Sequence, residues 1–211
     1  MLKVAIIGAG PLGRWLAFAA ARAGYPVLLE DVMPANLHHA QEYIRRQSAL
    51  AASELFDLGG KPGESGLGVD KIPTHEACSS GSSGVIFAST IEEAVRNADL
   101  AIDCVPDELE SKLEIFWLLD RMAPPHTVLI TPTTRLSITD LAGCTYRPEK
   151  CIAVVIEARD LIAGEPGIEH PAAELLLRTG PRTSQETVSL VKSFWERLGF
   201  TPRFETDPLN P

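Results

Sequence analysis

Val4-Ala5-Ile6-Ile7-Gly8-Ala9-Gly10-Pro11-Leu12-Gly13 joins a four-residue apolar run to three glycines spaced G-x-G-x-x-G. A short continuous apolar run ending in glycine reads as a strand buried on both faces of a parallel sheet. Pro11 to Ala23 then reads as a helix, with Leu12, Trp15, Leu16 and Ala19 at helical spacing and Gly24 as the stop. Glycine turns are common, but a strand before and a helix after supply the context that gives this one a mechanism. Gly8 permits the tight turn, Gly10 lets backbone approach a pyrophosphate, and Gly13 lets the helix pack on the strand. Pro11 and Leu12 occupy the first helical turn, whose unpaired N–H groups and positive dipole end suit phosphate oxygens. The stretch predicts a dinucleotide-binding α/β fold.

The neighbouring sequence extends that reading. Val27-Leu28-Leu29 is a second buried strand ending at Glu30-Asp31, and Asp31 lies 18 residues beyond Gly13. A carboxylate there accepts hydrogen bonds from the adenosine ribose and repels a 2′-phosphate. Residues 32–37 hold no Arg or Lys to reverse that preference, so NAD is expected over NADP. Pro34 to about Leu55 is helical in composition. Gly59 to Gly84, rich in Gly and Ser, predicts a mobile loop. Strands then follow at Val85–Ala88, Leu100–Asp103, Thr127–Ile130, Cys151–Ile156 and Phe200–Glu205. They alternate with helices at Ile91–Asn97, Leu109–Met122 and Val188–Leu198. Such alternation predicts a Rossmann-type doubly wound α/β fold, a mostly parallel sheet with helices on both faces. Residues 1–206 read as one domain and 207–211 as a tail.

Composition narrows the partners. The 211 residues are 45% hydrophobic and 22% charged, the balance of a globular chain. Nineteen Lys and Arg against 28 Asp and Glu give a net charge of −9, which argues against a nucleic-acid partner. No apolar stretch approaches a membrane span, and Gly8, Gly10, Pro11, Gly13 and Arg14 break any signal-peptide pattern. Cys78, Cys104, Cys144 and Cys151 form no CxxC pair, so reduced thiols in a cytoplasmic protein are expected. His38, His39, His75 and His126 have no metal-ligand spacing, and no metal site is predicted.

Ala98-Asp99-Leu100-Ala101-Ile102-Asp103-Cys104-Val105-Pro106-Asp107-Glu108-Leu109-Glu110, with Thr131-Pro132-Thr133-Thr134-Arg135-Leu136-Ser137-Ile138-Thr139, carries a family resemblance. Together with the glycine motif, these segments resemble the NAD-binding domain of L-3-hydroxyacyl-CoA dehydrogenases, from Lys3 to about Glu205. The resemblance implies hydride transfer between NAD and a 3-hydroxyacyl-CoA or smaller hydroxy acid. Family members carry an acidic P-E-D-L or E-N-L stretch after the fourth strand and a lysine beyond it, both contacting the cofactor. Asp107 and Lys112 match those positions, Asp107 being one methylene shorter than glutamate. In the serine-rich loop after the fifth strand, Thr134 matches the hydroxyl that meets the substrate oxygen.

Departures from the family pattern concern proton transfer. The asparagine beside that hydroxyl is Pro132, which has no N–H. The catalytic histidine position falls on Val155, the asparagine after it on Ala158, and the orienting glutamate within Leu175-Leu176-Leu177. Valine and leucine transfer no proton. Glu157, whose burial after an apolar strand would raise its pKa, and His170 are the candidates to stand in. The resemblance also implies an all-helical domain that closes over the acyl chain and usually forms the dimer. A homodimer or a helical partner chain is therefore expected around a small-molecule substrate such as an acyl-CoA. The alternatives are a non-catalytic NAD-binding module or one half of a split enzyme.

Overall fold

A computed structural model describes residues 1–57, 84–156 and 174–209. The Gly59–Gly84 segment, apart from Gly84, lies outside the described residues, as do Cys78, Glu157, Ala158 and His170. In chain order the elements begin β1 (Val4–Ile7), α1 (Pro11–Arg22), β2 (Val27–Glu30), α2 (Pro34–Asp57), β3 (Val85–Ala88) and α3 (Ile91–Val95). They continue β4 (Leu100–Asp103), α4 (Leu109–Met122), β5 (Val128–Pro132), α5 (Ile138–Gly143) and β6 (Cys151–Val155). Three more follow: β7 (Glu174–Thr179), α6 (Gln185–Arg197) and β8 (Thr201–Thr206).

The strands form one sheet in the order β3-β2-β1-β4-β5-β6-β7-β8. All neighbours are parallel except β6 and β7. The first six strands follow the order 3-2-1-4-5-6 of doubly wound nucleotide-binding sheets, whose ligand crevice lies where the winding reverses, between β1 and β4. Every residue of β1 and β4 is buried. Alternation sends Val4 and Ile6 to the core under α1, α2 and α6, and Ala5 and Ile7 to the core under α3, α4 and α5. The expected sheet with helices on both faces is what the chain forms.

Local chemistry sets the helix ends. Pro11 starts α1 at the position where a missing N–H costs nothing, and Gly24, at φ +85°, stops it by accepting the left-handed conformation. Thr90, Ser137 and Ser184 cap α3, α5 and α6 through their hydroxyls. Aromatic rings fasten the two ends of the chain to each other. Trp15 on α1 packs edge-on against Phe200 at 6.0 Å, and Phe200 meets the fully buried Trp195 at 5.5 Å. Arg197 adds a hydrogen bond from its Nε to the carbonyl of Ala23, 174 residues away.

Asp207 follows β8 directly. Only 1% exposed, it accepts hydrogen bonds from Ser137 Oγ (2.7 Å), Thr139 N (3.0 Å) and Thr139 Oγ1 (2.9 Å). The chain past β8 is thus tied to the start of α5.

Candidate cofactor and substrate cleft

The glycine turn is built as its spacing predicts. Gly8 has φ +102°, and a Cβ on it would lie 2.8 Å from the carbonyl oxygen of Cys104. A Cβ on Gly13 would fall 1.8 Å from the Gly8 carbonyl, so helix and turn touch backbone to backbone. At Gly10 nothing stands within 4 Å of where a Cβ would be. The space is therefore left open above the turn, where a pyrophosphate would approach. Asp31 Oδ2 accepts the N–H of Ala9 inside the turn at 2.7 Å, and Oδ1 accepts the N–H of Met33 at 2.7 Å. Asn36 donates from Nδ2 to both oxygens, at 3.2 and 3.1 Å. The carboxylate is held at the carboxyl end of β2, where the ribose of a dinucleotide lies in such sheets. Asn36, which the sequence reading missed, orients it.

At the turn a cleft of about 460 Å³ opens at the strand ends, lined by Gly10, Pro11, Leu12, Cys104, Val105, Asp107, Pro132–Arg135 and Ile156. It therefore brings together the glycine turn, Asp107 and Thr134. Asp107 Oδ2 accepts the backbone N–H of Thr134 at 3.2 Å, while Oδ1 is buried with no partner among the described residues. A buried acceptor left unpaired costs stability, and a cofactor hydroxyl would satisfy it. The open Gly10, the oriented Asp31 and the orphaned Asp107 oxygen together fit a dinucleotide.

Lys112, expected to contact the cofactor, is tied into a buried network. Its side chain is wholly buried, and Nζ donates to Asp103 Oδ2 at 3.1 Å, with the Val105 carbonyl at 3.5 Å. Thr131 Oγ1 donates to the same Asp103 oxygen at 2.9 Å, and Asp103 Oδ1 takes the N–H of Val105 at 3.0 Å. The trio lies beneath the cleft and shapes the Val105 turn that lines it. Burial pushes the Asp103 carboxyl up, and the Lys112 ammonium opposes the shift. Burial and the Asp103 charge push the Cys104 thiol up as well, which disfavours its thiolate.

Comparison with known proteins settles the family. The family model described as "3-hydroxyacyl-CoA dehydrogenase, NAD binding domain" matches residues 3–155. The chain belongs to that family. A "Probable 3-hydroxybutyryl-CoA dehydrogenase" of Bacillus subtilis is 29% identical over 199 residues, which cover 94% of this chain and 60% of that protein. A "5-formyl-3-hydroxy-2-methylpyridine 4-carboxylate 5-dehydrogenase" of Mesorhizobium japonicum is 25% identical, covering 95% of this chain and 56% of the relative. The crystal structure of 3-hydroxybutyryl-CoA dehydrogenase from Escherichia coli shares the fold, with TM-score 0.73 at 23% identity over 98% of this chain and 38% of that one. The chain thus spans about 60% or less of the length of these relatives. Its cofactor is NAD.

The family's proton-transfer positions are apolar here. Val155, at the end of β6, lies directly opposite Leu176 of β7, and Leu175 and Leu177 are buried in the core. No histidine lines the cleft among the described residues. His126 pairs with Asp99 at 3.4 Å, just before β4 begins and so at the other end of that strand from the cleft, and His38 lies on α2 near Glu42. Glu157 and His170, the expected substitutes, fall outside the described residues. The described residues contain no cluster of metal ligands, and none of their helices is long and apolar enough to cross a membrane.

Proposed function

We propose that this chain is the cofactor-binding part of an NAD-dependent dehydrogenase acting on a small hydroxy substrate, either a 3-hydroxyacyl-CoA or a free hydroxy acid. One observation carries the reading: a single cleft is lined by the glycine turn, Asp107 and Thr134 together. NAD supplies the hydride acceptor when bound. Gly8–Gly13 would seat its pyrophosphate, Asp31 its adenosine ribose, and Asp107 a hydroxyl of the second ribose. Thr134 would hold the substrate oxygen, and Glu157 or His170 would take the proton that leaves it. The names of the relatives support both substrate types, one being a thioester and one a carboxylate. A helical partner chain, or a homodimer, would close the substrate side. Cys104, Cys144 and Cys151 are unpaired, which supports a reducing, cytoplasmic setting.

A second reading, an NAD-binding module without turnover, is favoured by the Val155–Leu176 pair standing at the family's proton-transfer positions. Calorimetry with NAD and NADP, followed by NADH oxidation with acetoacetyl-CoA, separates the two. NAD binding with measurable oxidation supports the enzyme; NAD binding with none supports the module. A preference for NADP would overturn the assignment of Asp31.

A further inference from the structure

Arg135 lines the same cleft as the glycine turn and directly follows Thr134 in the chain. Its side chain is 71% exposed, unusual for a residue lining a binding site in a chain of net charge −9. One edge of the guanidinium is anchored: Nη2 donates to the Asp107 carbonyl at 2.8 Å. Nε is 3.9 Å from Asp107 Oδ2, too long for a hydrogen bond, and Nη1 makes none within the described residues. Asp107 meanwhile takes the Thr134 N–H and has its buried oxygen still to satisfy, so it does not close a two-pronged pair with Arg135. A second guanidinium reinforces the turn from behind, Arg178 Nη1 approaching the Thr134 carbonyl at 3.5 Å while its Nε pairs with Glu205 at 2.7 Å. Of the neighbouring lining residues, Pro132 and Ile156 offer no side-chain donor, and the Thr133 hydroxyl is turned to the N–H groups of Arg135 and Leu136.

We propose that Arg135 selects a substrate carrying a free carboxylate, a short hydroxy acid or its oxo form, rather than a neutral ester or thioester. The proposal rests on the dehydrogenase reading above and narrows its substrate class. A planar guanidinium fixed along one edge presents parallel N–H groups that match a carboxylate, and pre-anchoring lowers the entropy lost on pairing. Thr134 and Arg135 are consecutive, with Cα atoms about 3.8 Å apart. One turn therefore presents a hydroxyl for the reacting oxygen and a cation for the acid group, which suits a molecule only a few carbons long. A neutral substrate would leave the guanidinium unmatched, which is the basis of discrimination.

The test is a fluorescence titration of the NADH complex with acetoacetate, methyl acetoacetate and acetoacetyl-CoA, on the wild-type chain, Arg135→Leu and Arg135→Lys. The wild type should bind acetoacetate at least about tenfold more tightly than its methyl ester, the scale of one charge-assisted pair. Arg135→Leu should abolish that difference and Arg135→Lys should keep part of it, each ratio being read on the NADH-saturated complex. Equal binding of acid and ester by the wild type would overturn the proposal. So would a tenfold loss of NADH affinity in Arg135→Leu, which would assign the guanidinium to the cofactor. Binding of acetoacetyl-CoA that exceeds acetoacetate and ignores Arg135→Leu would overturn it too. Failure of the wild type to bind NADH at all would instead remove the dehydrogenase reading, and this proposal with it.

Discussion

Gly10 and Gly13 differ by three positions and by what surrounds them, so the same substitution should fail in different ways. Gly13→Ala drives a methyl to 1.8 Å from a backbone oxygen, and neither the turn nor α1 can yield without breaking their contact. It should cost about 1–3 kcal/mol or more, seen as a lower thermal midpoint before any ligand is added. Gly10→Ala meets nothing within 4 Å. Its stability should stay within about 1 kcal/mol, while NAD affinity measured by calorimetry drops at least about tenfold. Glu30 offers a residue-scale test of burial. It is 3% exposed, its Oε2 has no partner among the described residues, and burial, with the neighbouring Asp31, pushes its carboxyl up. A raised folded value means the native state holds that proton more tightly, so stability falls as pH rises from the ordinary carboxyl range through it. Glu30→Gln should therefore raise the thermal midpoint at pH 7.5 and change it little at pH 4, each kcal/mol reading as about 2–4 °C.

Among the elements, α5 shows how the far end of the chain governs the cleft. Its cap, Ser137, follows the Thr133–Arg135 turn directly, and Asp207 grips both Ser137 and Thr139. Burial alone would push the Asp207 carboxyl up, but the hydrogen bonds from Ser137, Thr139 and Leu209 outweigh it and hold it below the usual carboxylate range. The stabilisation is present above the unfolded carboxyl value and is lost as pH falls through the folded one. Asp207→Ala should cost about 1–3 kcal/mol at pH 7 in chemical denaturation, the gap closing towards acid pH. None of this was legible from sequence, because a contact spanning 70 positions leaves no local pattern. By contrast β1, α1 and β2 were readable: apolar runs, a proline start and a glycine stop each act within a few residues. The strand β7 was not read. Leu175-Leu176-Leu177 has neither helical nor alternating period, and nothing in it encodes an antiparallel partner in an otherwise parallel neighbourhood. At the site, Asp31 was legible from its spacing to the glycine turn, and Asp107 from the family resemblance. Lys112 was legible as a residue but not as a buried one, since its burial depends on Asp103 of β4, whose accepting oxygen is also bonded by Thr131 of β5. Removing one member of such a pair is the costly case. Lys112→Met should lose about 3–5 kcal/mol and disturb the Val105 turn, whereas a paired Asp103→Leu, Lys112→Met change should recover much of that loss.

For the whole molecule, the decisive quantity is turnover without the usual base. A positioned general base contributes roughly 10²–10⁴-fold, and the Val155–Leu176 pair supplies none. The chain alone should therefore process 3-hydroxyacyl-CoA at least about 10²-fold more slowly than a complete family enzyme in a coupled NADH assay. Any residual rate should fall further in Thr134→Ala. Rescue by Val155→His alone should be small, since Leu176 opposite offers nothing to orient an imidazole.

The ring contact between Trp15 and Phe200 also dictates when the protein can finish folding. The helix that follows the glycine turn is seated against residues that a ribosome delivers much later, and the Arg197–Ala23 bond closes a span of 174 residues. Closing a loop of that size costs about 4–5 kcal/mol of chain entropy on the logarithmic scaling, before any contact offsets it. The nucleotide-binding turn should thus mature late, as a slow phase in refolding followed by tryptophan emission. A nascent chain halted before Phe200 should leave that turn formed in sequence but not yet held in place.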